Sequence, residues 1–335
     1  MSAPAPSTAI ESIGVVGAGA WGTALALAAR RAGRAVVLQG RDAAAVADIN
    51  GRRENRRFLP GVTLDPPLKA TTDLAAAAGC DAVILAVPAQ ATAETAALLA
   101  PLVRPGTPVI LAAKGFARDG GRLLSEVLAE ELPAAVPAVL SGPSFAADVA
   151  RGLPTAVTIA AADGALADRL AAALAGPGFR PYAATDLVGV QVGGALKNVL
   201  AIACGIVVGR GLGASAQAAL TARAFAELAR LVTAMGGRPE TPTGLSGLGD
   251  LVLTATSRQS RNFSFGIALG EGKRPSGDGP LVEGATTAAV AVEIARRHGV
   301  ELPITAAVAA VIDGRLAVDQ AIEGLLSRPL RREGE

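Results

Sequence analysis

Residues 12–17 (SIGVVG) form a continuous β-branched run closed by glycine, the pattern of a buried strand. Residues 20–32, dense in Ala and Leu, follow as a helix, and 35–40 (AVVLQG) as the next strand. Strand-like runs recur at 81–87 (DAVILAV), 108–113 (PVILAA), 138–141 (AVLS) and 155–160 (TAVTIA), with helical stretches between most of them. Strands that are apolar along their whole length and alternate with helices predict a parallel sheet covered on both faces. Right-handed crossovers then make it doubly wound. Past Leu187 the strand-like runs largely stop. Segments at 188–208, 215–235, 244–256, 282–298 and 304–326 carry helical spacing instead.

Residues 17–22 read Gly-Ala-Gly-Ala-Trp-Gly, or G-x-G-x-x-G, directly after a predicted strand and at the start of a predicted helix. That context turns a weak pattern into a dinucleotide fingerprint. Gly17 permits the tight turn, Gly19 lets backbone approach a pyrophosphate, and Gly22 allows close helix–strand packing. About 20 residues on, where the adenosine ribose is read, the chain has Gln39-Gly40-Arg41-Asp42. Arg41 suits the 2′-phosphate of NADP(H), whereas Asp42 would suit NAD(H). NADP(H) is favoured, with NAD(H) as the alternative. The expected architecture is α/β: an N-terminal Rossmann-type doubly wound parallel sheet followed by an all-helical C-terminal domain. Its expected divisions are a flexible tail at 1–10, a dinucleotide-binding domain at 11–187, a helical substrate domain at 188–328 and a frayed tail at 329–335.

The run 187–209 is long enough for a membrane span. Lys197 and Asn198 lie near its middle, and a central Lys costs about 2.5–3.5 kcal/mol on insertion. A buried helix is expected instead, with no transmembrane segment. A Lys buried there needs partners or a lowered pKa, and a partly desolvated Lys can act as general acid or base. The opposing reading is a Lys whose stem packs on the core while its head reaches water.

Composition narrows the chemistry. The 335 residues are 51% hydrophobic and 18% charged, with a net charge of +2, which excludes a disordered chain and an extended nucleic-acid footprint. One His and two Cys, Cys80 and Cys204, leave no expected metal site and no disulfide framework. The N-terminal MSAPAPSTA lacks the features of a secretory signal, so a cytoplasmic location is expected. The basic run 52–57 reads as a solvated loop, residues 270–280 as a flexible loop, and His298 as a cation at a helix C-terminus.

Three further groups suit an anionic substrate. Lys114 ends a strand, at the edge where ligands bind in such sheets. Ser141-Gly142-Pro143-Ser144 precedes a predicted helix, where Ser144 would serve an anion or cap the helix. Asp250 and Ser260-Arg261-Asn262 offer a carboxylate and a fork of donors. Together with 17–26 (GAGAWGTALA), 112–115 (AAKG), 141–146 (SGPSFA), 152–157 (GLPTAV), 189–202 (GVQVGGALKNVLAI), 247–254 (GLGDLVLT), 259–262 (QSRN), 281–284 (LVEG) and 301–305 (ELPIT), these residues occur in one order. In that order the chain resembles the bacterial NAD(P)-dependent sn-glycerol-3-phosphate dehydrogenases over residues 12–328.

The resemblance implies reversible reduction of dihydroxyacetone phosphate to sn-glycerol 3-phosphate, supplying phospholipid synthesis. It implies Lys197 as catalytic base, with Asp250 and Lys114 orienting the substrate. It places Gly142, Ser144, Ser260, Arg261 and Asn262 on the glycerol phosphate. It places Ala20, Trp21, Arg41, Lys114, Ala146, Arg261, Leu281 and Glu283 on the cofactor. It also implies a homodimer. The segment 213–228 departs from the family pattern, with Ser215 where Asn is usual. A β-hydroxyacid dehydrogenase is the nearest alternative, but it would grip a carboxylate. A sensor that binds NADP(H) without turnover would have no reason to keep Lys197, Asp250 and Arg261 together.

Overall fold

The computed structural model describes residues 9–273, 281–329 and 332. The tails expected at 1–10 and 329–335 and the loop expected at 270–280 fall largely outside them. The chain divides into two compact units. One holds the residues up to Ala113 together with Leu123–Val190. The other holds Lys114–Arg122 together with the residues from Gln191 onward. The boundary lies three residues beyond the expected one, and residues 114–122 group with the helical unit.

In the first unit the strands are β1 (Ser12–Val16), β2 (Ala35–Gln39), β3 (Glu54–Asn55), β4 (Leu59–Thr63), β5 (Lys69–Thr71), β6 (Ala82–Leu85), β7 (Pro108–Leu111), β8 (Val136–Ser141), β9 (Thr155–Ala161) and β10 (Phe179–Ala184). Eight of them make one sheet in the order β10-β9-β8-β7-β6-β1-β2-β5, and β3 and β4 form a separate antiparallel pair. β1 lies between β2 and β6, parallel to both, with Val16 opposite Gln39 and Leu85. The chain therefore leaves β1 toward one side of the sheet and later returns to its other side. This reversal opens a crevice at the carboxyl ends of the strands, where dinucleotides bind in such folds. Val15, Leu38, Ile84 and Ile110 are fully buried, as strands covered on both faces require.

The sheet departs from the expected parallel pattern at one junction. β8 and β9 pair antiparallel. The only helix between them is Ala146–Ala150, five residues long. At 1.5 Å per residue it advances about 7.5 Å, too little to carry the chain back along a strand of about 20 Å, so the chain turns and returns. The edge strands β5 and β10 escaped the sequence pattern. The first is three residues long, and the second (FRPYAA) is half polar with Pro181 inside it.

The helical unit is arranged around the residues of Leu187–Gly209 from Gln191 onward. This helix is apolar and long enough to cross a membrane, yet its most apolar window is 89% buried within the protein. Glycine explains how a helix so poor in polar residues packs. Gly205 and Gly209 face Gly266 and Gly270 on the helix Arg261–Gly270. A Cβ on Gly266 would lie 2.1 Å from the Ile202 carbonyl oxygen, and one on Gly205 2.2 Å from that of Phe263. The two backbones thus approach more closely than any side chain allows.

Arg261–Gly270 is a helix that the sequence pattern had not marked. Two helical expectations need correction. Residues 244–256 begin as a π-helical turn, Leu245–Gly249, before the α-helix Asp250–Thr256. Residues 304–326 split into Pro303–Ile312 and Val318–Leu326, because Gly314 adopts a left-handed φ of 72° between them.

Candidate active site

The fingerprint begins where β1 ends. Gly17 has φ 109°, and its N–H donates to the Gln39 carbonyl at 2.9 Å. Gly19 caps the helix Ala20–Arg31 with no side-chain hydrogen bond. The two later glycines serve different ends. A Cβ on Gly22 would lie 1.9 Å from the Gly17 carbonyl oxygen, so that glycine is required by packing. A Cβ on Gly19 would meet nothing within 4 Å, so the fold leaves that side of the turn open.

Trp21, the only Trp in the chain, has a buried Nε1 with no hydrogen-bond partner. An open glycine turn, an uncapped helix start and an unpaired buried donor beside it fit a dinucleotide pyrophosphate. Ala20 is half-buried at the helix start, and Arg41 is exposed just beyond β2. Asp42 caps the helix Ala43–Arg52 and pairs with Arg57.

Gly142 ends β8 with φ 141°, where a Cβ would lie 2.9 Å from Val157 Cα. Ser144 is not a helix cap. Its hydroxyl donates to the Gly142 carbonyl at 2.9 Å, and Phe145 occupies the cap position before Ala146. The neighbouring Ser141 Oγ is buried without a partner.

In the helical unit, residues distant in sequence form a charged cluster. Asp250, 1% exposed, accepts from Lys114 Nζ at Oδ2 (2.6 Å) and faces Lys197 Nζ at Oδ1 (2.9 Å). Lys197 Nζ also donates to Thr254 Oγ1 at 2.7 Å, and that hydroxyl donates to Asp250 Oδ1 at 3.2 Å. Lys197 is 6% exposed, so its head does not reach bulk water. Lys114 is likewise not the solvated loop lysine its position alone would allow. The sequence reading did not include Thr254. The signal for it was present: it stands one helical turn after Asp250 and so shares its face.

Burial and the neighbouring Lys114 ammonium pull the Lys197 amine down from its ordinary 10.5 to about 8, although Asp250 opposes the shift. Burial pushes the Asp250 carboxyl up, but the two ammonium groups outweigh it, and the net displacement is downward. Glu283, the first residue of the helix Glu283–Arg297, is pushed up by burial against the pull of Arg261, Lys197 and Lys114. Asp250 thus lies between two ammonium groups, and Glu283 acts on the same pair from the start of its own helix.

Amides hold the cluster in place. Asn198 Nδ2 donates to the Lys114 carbonyl at 3.2 Å, and its Oδ1 accepts from Asn262 Nδ2 at 2.8 Å. Asn262 Oδ1 accepts from Gly284 N at 2.9 Å. Ser260 Oγ accepts from Phe263 N at 3.2 Å and caps the Arg261–Gly270 helix. The expected anion-gripping groups Ser260 and Asn262 thus have their side chains engaged inside the unit, whereas Arg261 and Leu281 are exposed.

Comparison with known proteins finds relatives along nearly the whole chain. Residues 12–167 match the N-terminal part of the NAD-dependent glycerol-3-phosphate dehydrogenase family, and residues 186–323 match its C-terminal part. The glycerol-3-phosphate dehydrogenase [NAD(P)+] of Azorhizobium caulinodans is 59% identical, covering 97% of this chain and 99% of that protein. The protein of the same name from Rhodopseudomonas palustris strain TIE-1 is 56% identical over the same shares. The crystal structure of glycerol-3-phosphate dehydrogenase from Coxiella burnetii superposes with a TM-score of 0.89 at 41% identity, covering 95% of this chain and 99% of that one. By these matches along nearly its whole length, the chain belongs to the NAD-dependent glycerol-3-phosphate dehydrogenase family.

Proposed function

We propose that the chain catalyses the reversible NAD(P)-dependent reduction of dihydroxyacetone phosphate to sn-glycerol 3-phosphate. The observation that carries this reading is the buried Lys197–Asp250–Lys114 cluster, completed by Thr254. The bound nicotinamide supplies or accepts the hydride. The chain itself must handle the proton and the phosphate. As an ammonium, Lys197 donates a proton to the C2 carbonyl oxygen. As a neutral amine, it takes the proton from the C2 hydroxyl. A pKa of about 8 leaves both forms accessible near neutrality, which is what a group working in both directions requires.

Asp250 fixes the direction of the Lys197 ammonium and compensates its charge from one carboxylate oxygen, while the other oxygen holds Lys114. Lys114 adds positive charge toward the substrate oxygen. Arg261, exposed at the start of its helix, is assigned to the phosphate, together with the backbone around Ser260 and Asn262. Gly142 and Ser144 are assigned to the substrate as well.

Gly17, Gly19 and Trp21 would hold the pyrophosphate, with Gly22 letting the helix pack close to the turn. Arg41, which has no ion-pair partner among the described residues, would meet the 2′-phosphate of NADP(H). NADP(H) is therefore the favoured cofactor. Production of glycerol phosphate for phospholipids in the cytoplasm, by a homodimer, completes the reading.

The test is absorbance at the nicotinamide band after mixing the chain with dihydroxyacetone phosphate and either NADPH or NADH. Oxidation is expected with both, faster with NADPH. Cofactor that binds but is not oxidised in either mixture would contradict the substrate assignment.

A further inference from the structure

A carboxylate at the end of the second strand of a dinucleotide fold accepts hydrogen bonds from the adenosine ribose and repels a 2′-phosphate. Asp42 stands in that region, but its carboxylate is committed elsewhere. Oδ1 accepts from the N–H groups of Ala44 (2.9 Å) and Ala45 (3.2 Å). Oδ2 pairs with the Arg57 guanidinium. Hydrogen bonding from the Ala45 N–H and the pair with Arg57 hold this carboxyl below its ordinary range, so it is ionised and compensated at neutral pH.

Arg57 lies in the turn between β3 and β4, and that turn is fixed to the fingerprint. Asn55, fully buried, donates through Nδ2 to the Ala18 carbonyl (2.9 Å) and to Thr23 Oγ1 (2.8 Å). Its Oδ1 accepts from Phe58 N at 3.3 Å, closing the turn. The Arg57 guanidinium lies 5.1 Å from the centroid of the Phe58 ring. The hairpin is thus anchored under the pyrophosphate turn while its tip reaches Asp42. Of the neighbouring charges, Arg56 pairs with Glu54 and Arg52 with Asp48. Arg41, Arg57 and Asp42 together leave one net positive charge beside the end of β2.

We propose that Arg57 is a second determinant of cofactor choice, which neutralises Asp42 and adds a guanidinium beside Arg41 to make a seat for the ribose 2′-phosphate of NADP(H). This rests on the NADP(H) reading above and extends it to a residue outside the fingerprint. Removing Arg57 acts twice against NADP+: it takes away a cation and exposes a carboxylate. NAD+ has no 2′-phosphate to lose, and a freed Asp42 can accept from its ribose hydroxyls.

The experiment is isothermal titration of NADP+ and of NAD+ into the wild-type chain, R57A and R57A/D42N, with melting temperatures taken in parallel. Wild type is expected to bind NADP+ more tightly. R57A should weaken NADP+ by about tenfold or more, the scale of one charge-assisted contact, with NAD+ changed by less than about twofold. Asn caps a helix as well as Asp does, so D42N in the R57A background should recover part of the NADP+ affinity. Equal weakening of both cofactors in R57A, or no change in their ratio while wild type prefers NADP+, overturns the role of Arg57 and leaves the NADP(H) reading standing. A wild-type chain that prefers NAD+ contradicts the NADP(H) reading, and this proposal with it.

Discussion

The fingerprint turn and the lysine cluster solve two recognition problems by opposite means. The turn at Gly17–Gly22 binds through backbone and through what its side chains lack. Its determinants lie within six consecutive residues, and its fit depends on a φ of 109° and on space. The cluster, in the reading proposed above, would bind through charge at a buried position. Its members come from three well-separated stretches of sequence, Lys114, Lys197 and the Asp250–Thr254 turn, and meet only because helices pack closely around them. Local geometry survives most substitutions elsewhere in the chain, whereas a buried charge cluster depends on each partner.

Lys197→Ala breaks the comparison most sharply. It should lower kcat by about 10³-fold, within the range for loss of a general acid–base, while cofactor affinity by titration changes less than about twofold. Asp250 keeps Lys114 as a partner in this variant, so folding is expected to persist. A near-normal kcat would remove Lys197 from the proton path.

Asp250→Asn should cost about 10²-fold in kcat and about 3 kcal/mol of stability, since it leaves two buried ammonium groups facing a neutral amide. Asp250 opposes the downward shift of the Lys197 amine, so its loss should move the pH dependence of oxidation to lower pH. Chemical denaturation and a pH–rate series would check the two parts separately.

A pair of glycine variants separates packing from binding. Gly266→Ala places a methyl 2.1 Å from the Ile202 carbonyl oxygen and should cost about 2 kcal/mol, read as a fall in melting temperature. Gly19→Ala meets no neighbour, so stability should hold while cofactor affinity falls about tenfold through crowding of the pyrophosphate. Equal loss of stability in both variants would show that the open side of the turn is structural after all.

Thr254→Val should have the smallest effect, about fivefold in kcat. It removes one hydrogen bond from the Lys197 amine and leaves the ion pair in place. Cofactor affinity should not move.

The same contrast explains what the sequence made legible. The strands β1, β2, β6, β7, β8 and β9 and the fingerprint could be read because their signals are continuous in sequence. β5 and β10 could not, because short or half-polar edge strands carry little periodicity. The antiparallel return into β9 was hidden because apolar runs do not record direction; only the brevity of the Ala146–Ala150 helix hints at it.

In the helical unit, Lys197 stood out as a charge in an apolar helix, and its need for partners followed from burial alone. Which partners it finds did not follow. Lys114 was legible from its place at a strand end, and the family resemblance gave it and Asp250 substrate-orienting roles, not a pairing with Lys197; Thr254 was passed over although its spacing from Asp250 marks it. Ser260 and Asn262 were assigned to the substrate by the same resemblance, with which their polarity agrees. The structure shows their side chains holding helices together, a task that polarity alone does not distinguish from binding.

The central claim is that the buried Lys197 amine moves the proton and that its depressed pKa sets when it can. The most direct measurement is the pH dependence of kcat for sn-glycerol 3-phosphate oxidation in the wild type and in Lys197→Arg, followed at the nicotinamide band. Oxidation needs the neutral amine, so the wild-type rate should rise through a single ionisation near pH 8 and level above it. The Arg variant keeps the charge, cannot be deprotonated, and should lose both the rate and the ionisation. A wild-type profile flat through that range, or an Arg variant that retains the same ionisation and most of the rate, would contradict the account.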